Sequence, residues 1–316
     1  MTKKFKPLDL SKIKTYPLSD RDNRVSAADF AKTHKKGATF QDFLNGLPHI
    51  LAGSELRSVI SAMATAARNK KTIILGMGAH VIKVGLNPLV IDLMQRGIIT
   101  CVAMNGAGII HDVELAMAGH TSEDVATTID DGSFGMAEDV AVFLGEALAE
   151  LQHDAKGLGS ALGRAIAQKT LPFGKDSILA AGFRLGIPVT VHVAIGTDIV
   201  HMHPQFDAAR TGMATHYDFR LFSSVVATIE NGVYLNVGSA VILPEIFLKA
   251  VTLARNLGHT LDHFTTVNLD FVSHYRPLTN VITRPTARGG RGINLVGYHE
   301  IMLPLIAGGV IEQLDE

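Results

Sequence analysis

Several residue groups in this 316-residue sequence have types and spacings suited to chemistry. The first is a set of small, polar turns: Gly76-Met77-Gly78, Asn105-Gly106-Ala107-Gly108, Gly196-Thr197-Asp198 and Gly238-Ser239. Each lies directly after an apolar run. Glycine lets backbone N–H groups approach a pyrophosphate, and a helix start behind it adds partial positive charge. Together these turns read as a dinucleotide cradle more than as packing. Neither a GxGxxG with an acid about 20 residues on nor a GxxxxGK[ST] is present, so the ordinary Rossmann fingerprint and the P-loop are both absent.

The second group is ionisable. His111-Asp112 opens a predicted helix just after the Asn105 turn, and imidazole titrates near neutrality, which makes His111 a candidate acid/base. Asp112 shares the candidacy, although an acid at a helix start is also an ordinary stabiliser. Lys83 lies in the apolar stretch Val81-Ile82-Lys83-Val84. It either snorkels to solvent or, desolvated beside a nucleotide, serves as base or amine nucleophile. His192, His201 and His203 near Asp198 are a rival: an HxH beside a strand end can ligate zinc and would make a metal-dependent hydrolase. The alternative is three histidines lining a polar cleft, and the preferred site assignment includes no metal. Arg284, Arg288 and Arg291 around Gly289-Gly290 form either a solvated loop or a clamp for a carboxylate or phosphate. Asp130 to Gly135 is a turn ahead of a helix, or a pocket edge.

These residues need a scaffold. Hydrophobic residues make up 47% and charged residues 19%, enough for a sizeable core, and the net charge of −1 offers no global field for nucleic acid. The lone Cys101 excludes an internal disulfide framework, so a reducing cytoplasm is expected. No signal peptide is read at the start, and apolar runs such as 98–104 and 241–253 stop short of the roughly 20 residues that cross a bilayer. Residues 1–37 read as an N-terminal arm, frayed or docked on a neighbouring subunit; docking would cover Val25 and Phe30. Residues 38–316 read as a single α/β domain. Strands are predicted at 72–75, 99–104, 188–194, 233–237, 264–269 and 293–297. Helices are predicted at 54–69, 87–97 (capped by Asn87), 111–118, 136–152, 176–185, 217–229 and 244–256. Strands this apolar, alternating with helices, indicate a mostly parallel sheet covered on both faces, whose carboxyl edge binds ligands.

The stretch from Gly78-Ala79-His80 through Asn105-Gly106-Ala107-Gly108-Ile109-Ile110-His111-Asp112-Val113-Glu114 resembles two related groups. One is the deoxyhypusine synthases; the other is the NAD-binding domain of the LOR/SDH-type ornithine cyclodeaminases, whose turn ends in a comparable His-Asp. The specific part is 73–118, with weaker echoes at Ile187-Pro188-Val189, Gly238-Ser239 and Val267-Asn268. The resemblance implies a deoxyhypusine-synthase-like NAD-binding fold. It also implies NAD as cofactor, a homo-oligomer (dimer or tetramer), and Gly76, Gly78, Asn105 to Gly108, Gly196 to Asp198, Gly238, Ser239 and Asn268 as cofactor-binding residues. Departures are equally specific. No lysine stands in Arg284 to Arg291, Leu243 or Pro244 replaces an expected histidine, and there is no tryptophan. The expected activity is therefore hydride transfer on a small amine or amino acid through an imine, not aminobutyl transfer to a protein lysine. Besides the hydrolase, the remaining alternative is a non-catalytic NAD-binding protein.

Overall fold

Five- and six-residue runs in which almost every side chain is buried have no solvated face, and they pair side by side in one parallel sheet. In the computed structural model, which describes residues 4–151 and 157–314, the sheet has six strands. They are β1 (Ile73–Met77), β2 (Cys101–Asn105), β3 (Val189–His192), β4 (Val233–Val237), β5 (Thr265–Asp270) and β6 (Arg291–Val296). Their order is β3-β2-β1-β4-β5-β6, all parallel. The order reverses between β1 and β4, and the carboxyl ends of those strands flank the crevice where such sheets take ligands.

Helices in chain order are α1 (Phe40–Gly46), α2 (Leu51–Arg68), α3 (His80–Lys83), α4 (Asn87–Gln95), α5 (Gly106–Ala118), α6 (Val125–Thr128) and α7 (Glu138–Ala149). They continue with α8 (Leu158–Lys169), α9 (Ile178–Leu185), α10 (Ala208–Val226), α11 (Ile242–Asn256), the short turn α12 (Tyr275–Pro277) and α13 (His299–Leu314). Alternation along the strands divides the core. Leu75, Met77, Met104, Leu235 and Leu269 point to one face with α2, α4, α5, α8 and α13. Ile74, Cys101, Ala103 and Tyr234 point to the other, against Phe222 of α10 and Phe247 of α11.

All six predicted strands are present, with ends shifted by at most two residues and β4 not shifted at all. The helices differ more. Helix α5 starts at Gly106 rather than 111, because the Asn105 side chain accepts from the Gly108 N–H (3.0 Å) and caps it. Asn87 is no cap; it is buried, and its Nδ2 donates to Asp112 Oδ1 (3.1 Å) and to the Asp176 carbonyl (2.9 Å). Helices α8, with Gly159 and Gly163, and α13, with Pro304, were not predicted. In the fold Gly159 lies against the Val189 carbonyl and Gly163 against that of Leu179, where any side chain would collide. The end of the predicted helix 136–152 and the first three residues of the arm fall outside the described residues. Among the described residues no helix is long and apolar enough to cross a membrane.

Candidate active site at the carboxyl edge of the sheet

At the switch point the exits of β1 and β4 touch. The Gly78 N–H donates to the Val237 carbonyl (2.8 Å), and a side chain at Gly78 would strike the Gly238 carbonyl. Gly238 turns the chain with φ +65°, and a Cβ there would come within 2.8 Å of the His299 ring. Beyond these tips, among the described residues, the N–H groups of Ala79, Ser239 and Ala240 have no protein acceptor. They lie at the two exits flanking the crevice.

The exits of β5 and β6 complete the site. His299, at the head of α13, is 1% exposed, and among the described residues neither ring nitrogen has a hydrogen-bond partner. Its Nε2 lies 3.8 Å from Asp270 Oδ1 at the end of β5. The His80 ring is 5.5 Å away, while Phe271 stands over both imidazoles at 6.0 and 6.1 Å and stacks on Tyr298. Burial is the largest influence on His299 and holds its pKa below the usual imidazole value; Asp270 opposes this and His80 reinforces it. A neutral, buried imidazole with two unpaired nitrogens costs free energy unless a ligand, water or proton completes it. Sequence reasoning missed His80, Asp270, Phe271, Tyr298 and His299. The strands at 264–269 and 293–297 were legible, and the signal was the identity of the residue just beyond each.

The sheet beneath the site is also polar. Asn236, Asn268 and Asn294 sit in register across β4, β5 and β6. Asn236 Nδ2 donates to Asn268 Oδ1 and Asn268 Nδ2 to Asn294 Oδ1, both at 2.8 Å. Asn268, expected at the cofactor, has its amide buried and engaged in tying strands together. Gly76 is likewise inside the sheet, its Cβ position closed by the Tyr234 hydroxyl. Ser239 is 6% exposed, and its Oγ accepts from the Leu243 N–H (3.2 Å) at the start of α11.

The β2 and β3 exits differ from the expected bare cradle. Where a Cβ would stand on Gly106 lies the carboxylate of Asp198, so the chain's own anion sits at the start of α5. Gly108 is closed by the Met104 side chain, while Ala107 is half-buried. Burial raises the Asp198 pKa against the opposing pull of His201 and Thr197. Gly196 (φ +93°) and Thr197 are exposed, and Thr197 Oγ1 donates to the Ala194 carbonyl (2.7 Å).

Among the described residues no hydrogen bond or ion pair joins Lys83, His111 and Asp112. Lys83 is exposed, so the desolvation that would activate it is missing. Asp112 is fully buried and accepts from Ser177 Oγ (2.6 Å), the N–H groups of Ile178 (2.9 Å) and Leu179 (3.2 Å), and Asn87; it anchors the start of α9. His111, half-buried, pairs through Nδ1 with Thr121 Oγ1 (2.6 Å) and lies 3.4 Å from Glu114. The rival histidines are separately engaged. His192 Nε2 meets Thr190 Oγ1 (3.1 Å), and burial lowers its pKa to about 3. His203 Nε2 meets the Gly135 carbonyl (2.8 Å), and His201 Nδ1 accepts from the N–H groups of Gly196 and Asp198. Among the described residues no three His, Cys, Asp or Glu side chains are grouped to hold a metal. Arg291 begins β6, at the opposite edge of the sheet, so it cannot clamp a substrate here.

No family model and no curated protein matches the chain in sequence. Solved structures match its fold. A LOR/SDH protein of Methanococcus maripaludis is 13% identical with TM-score 0.52, covering 89% of this chain and 72% of its own. A deoxyhypusine synthase-like protein from Entamoeba histolytica is 11% identical with TM-score 0.52, covering 89% and 96%. AgrE, solved with ornithine and NAD+, is 12% identical with TM-score 0.50, covering 82% of this chain and 32% of its own. The chain thus spans about a third of AgrE and of the cyanobacterial arginine dihydrolase ArgZ. At such identities the likeness concerns architecture, and the architecture is that of the deoxyhypusine-synthase-like and LOR/SDH proteins.

Proposed function

We propose that the protein is an NAD-dependent enzyme acting on a small amine or amino acid. The observation that carries this reading is the coincidence at the β1/β4 switch point of acceptor-free amides (Ala79, Ser239, Ala240) with the His80, Asp270 and His299 group. Backbone N–H groups at such a crevice suit a diphosphate. AgrE, of the same fold, was solved with ornithine and NAD+, which supports both the cofactor and the substrate class. The fit is local. The start of α5 does not suit a phosphate, because Asp198 already places a carboxylate there; that carboxylate and Thr197 suit ribose hydroxyls.

NAD held at this crevice would supply hydride-acceptor chemistry for oxidation of an amine carbon to an imine. His299, neutral through burial, would take the proton from the substrate amine at Nε2, and Asp270 would steady the imidazolium that forms. His80, exposed at the mouth, would pass the proton to solvent.

Calorimetric titration with NAD and NADP, followed by absorbance of reduced cofactor across an amine and amino-acid panel, tests the reading. His299→Gln and His299→Ala should keep NAD affinity within a few-fold and lower turnover by about 100-fold or more. Absence of saturable NAD binding sinks the proposal. Saturable binding without turnover on any amine would assign the chain to cofactor binding alone.

A further inference from the structure

The arginine loop that the site did not absorb lines a separate cleft at the opposite, amino-terminal edge of the sheet. The cleft holds about 680 Å³ between α2, the Asn231 turn and the Gly289-Gly290 loop. That is within the roughly 300–1,000 Å³ typical of small-molecule sites. One face of α2 presents Ser54, Ser58, Ser61 and Thr65 to it. Their spacing places four hydroxyls along one helical stripe, where helix propensity alone would favour other residues. Among the described residues, Ser54 Oγ, Ser61 Oγ and Thr65 Oγ1 have no protein partner, while Ser58 Oγ accepts from Arg291 Nη2 (2.9 Å).

The basic side chains of Arg57 and Arg291 line the cleft together with the His263 ring, and none of its described lining residues is acidic; the neighbouring Glu230 carboxylate is engaged by the N–H groups of Asp262 (2.8 Å) and His263 (3.1 Å). Arg57 contributes charge, but its guanidinium is committed to the carbonyls of Leu44, Leu47 and Pro48. Arg291 is exposed and gives one N–H to Ser58, leaving the rest of its donor fork for an anion. Gly289, with φ +126°, brings its backbone against the His263 ring, where a Cβ would stand within 2.9 Å.

We propose that this cleft is a second ligand site, for a phosphorylated polyol such as a sugar monophosphate. Arg291, with His263 beside it, takes the phosphate, and the Ser54, Ser61 and Thr65 hydroxyls exchange hydrogen bonds with those of the ligand. The site is independent of the NAD reading, since the two lie at opposite edges of one sheet.

Calorimetric titration of the full chain with glucose 6-phosphate, ribose 5-phosphate, glucose and inorganic phosphate tests it. At least one sugar phosphate should bind saturably, and more tightly than phosphate or glucose. Arg291→Ala should weaken that binding by about tenfold or more, the loss of one charge-assisted contact. Ser61→Ala, an exposed change that leaves the fold intact, should weaken the sugar phosphate and leave phosphate unaltered. No saturation with either sugar phosphate, equal binding of inorganic phosphate, or an Arg291→Ala chain that binds as well as the original would overturn the proposal. An NAD titration run in parallel keeps its outcome separate from that of the switch-point site.

Discussion

Asp218 shows how a buried carboxylate can serve structure. It is fully buried on α10, and its Oδ2 accepts from the N–H groups of Gly159 (3.0 Å) and Val191 (2.9 Å). It thereby ties the start of α8 to β3, while among the described residues Oδ1 has no partner. Burial pushes its pKa from 3.8 to about 7, against the lowering effect of those N–H donors. Between these values the folded chain binds a proton that the unfolded chain releases. This group therefore adds stability at low pH, and that stability is lost as pH rises from about 4 to about 7. Asp218→Asn keeps a carbonyl for both N–H groups and removes the charge. Urea midpoints of the variant minus the original chain should be near zero or negative at pH 4 and rise to positive at pH 8. A variant equally destabilised at both would refute the charge argument. Asp112 does comparable work at α9, which is why a His-Asp pair that resembled chemistry in sequence divides in the fold, with His111 half-exposed and Asp112 sealed.

Among the elements, the tightest constraint is the turn from β4 into α11. Gly238 combines a left-handed φ with the His299 ring at its missing side chain, whereas Gly85, at φ +79°, has open space. Gly85→Ala should cost about 1–2 kcal/mol for the backbone alone, and Gly238→Ala more, by about 1–3 kcal/mol of overpacking. Thermal melts of the two variants compare them directly; equal losses would mean that the His299 contact constrains nothing. The same turn explains what was legible in sequence. Buried strands announce themselves as apolar runs ending in small residues, so all six were readable, and with them the sheet and its carboxyl edge. What a glycine is for was not readable. Gly76, Gly106 and Gly238 looked like room for a coenzyme, yet each makes room for the chain's own Tyr234, Asp198 or His299. Helices α8 and α13 were not predicted, and in the fold their glycines admit neighbouring elements rather than break the helix. The His80, Asp270 and His299 group unites residues far apart in sequence, and only the strand order places them together.

At the scale of the whole molecule, much apolar surface is left uncovered. In the arm, Phe5 and Leu8 are each 87% exposed, and Tyr16, Leu18 and Phe30 are also exposed. Around the carboxyl edge Phe271, Tyr275 and Tyr298 are exposed as well. Isolated exposed apolar residues are ordinary, but an arm that carries them in series is suited to an interaction surface. We propose a homo-oligomer with the arm laid across a second copy, since a chain of net charge −1 presents little repulsion to its own kind. Light scattering should then give a mass that is a multiple of 33.8 kDa at micromolar concentration. A chain lacking residues 1–37 should remain folded by circular dichroism yet dissociate at higher concentration than the full chain. The arm's irregular backbone contributes little to the core, so its loss should move the association equilibrium and leave the thermal midpoint of the dissociated chain nearly unchanged. A full-length chain that scatters as 33.8 kDa throughout would leave the arm without the partner argued for it.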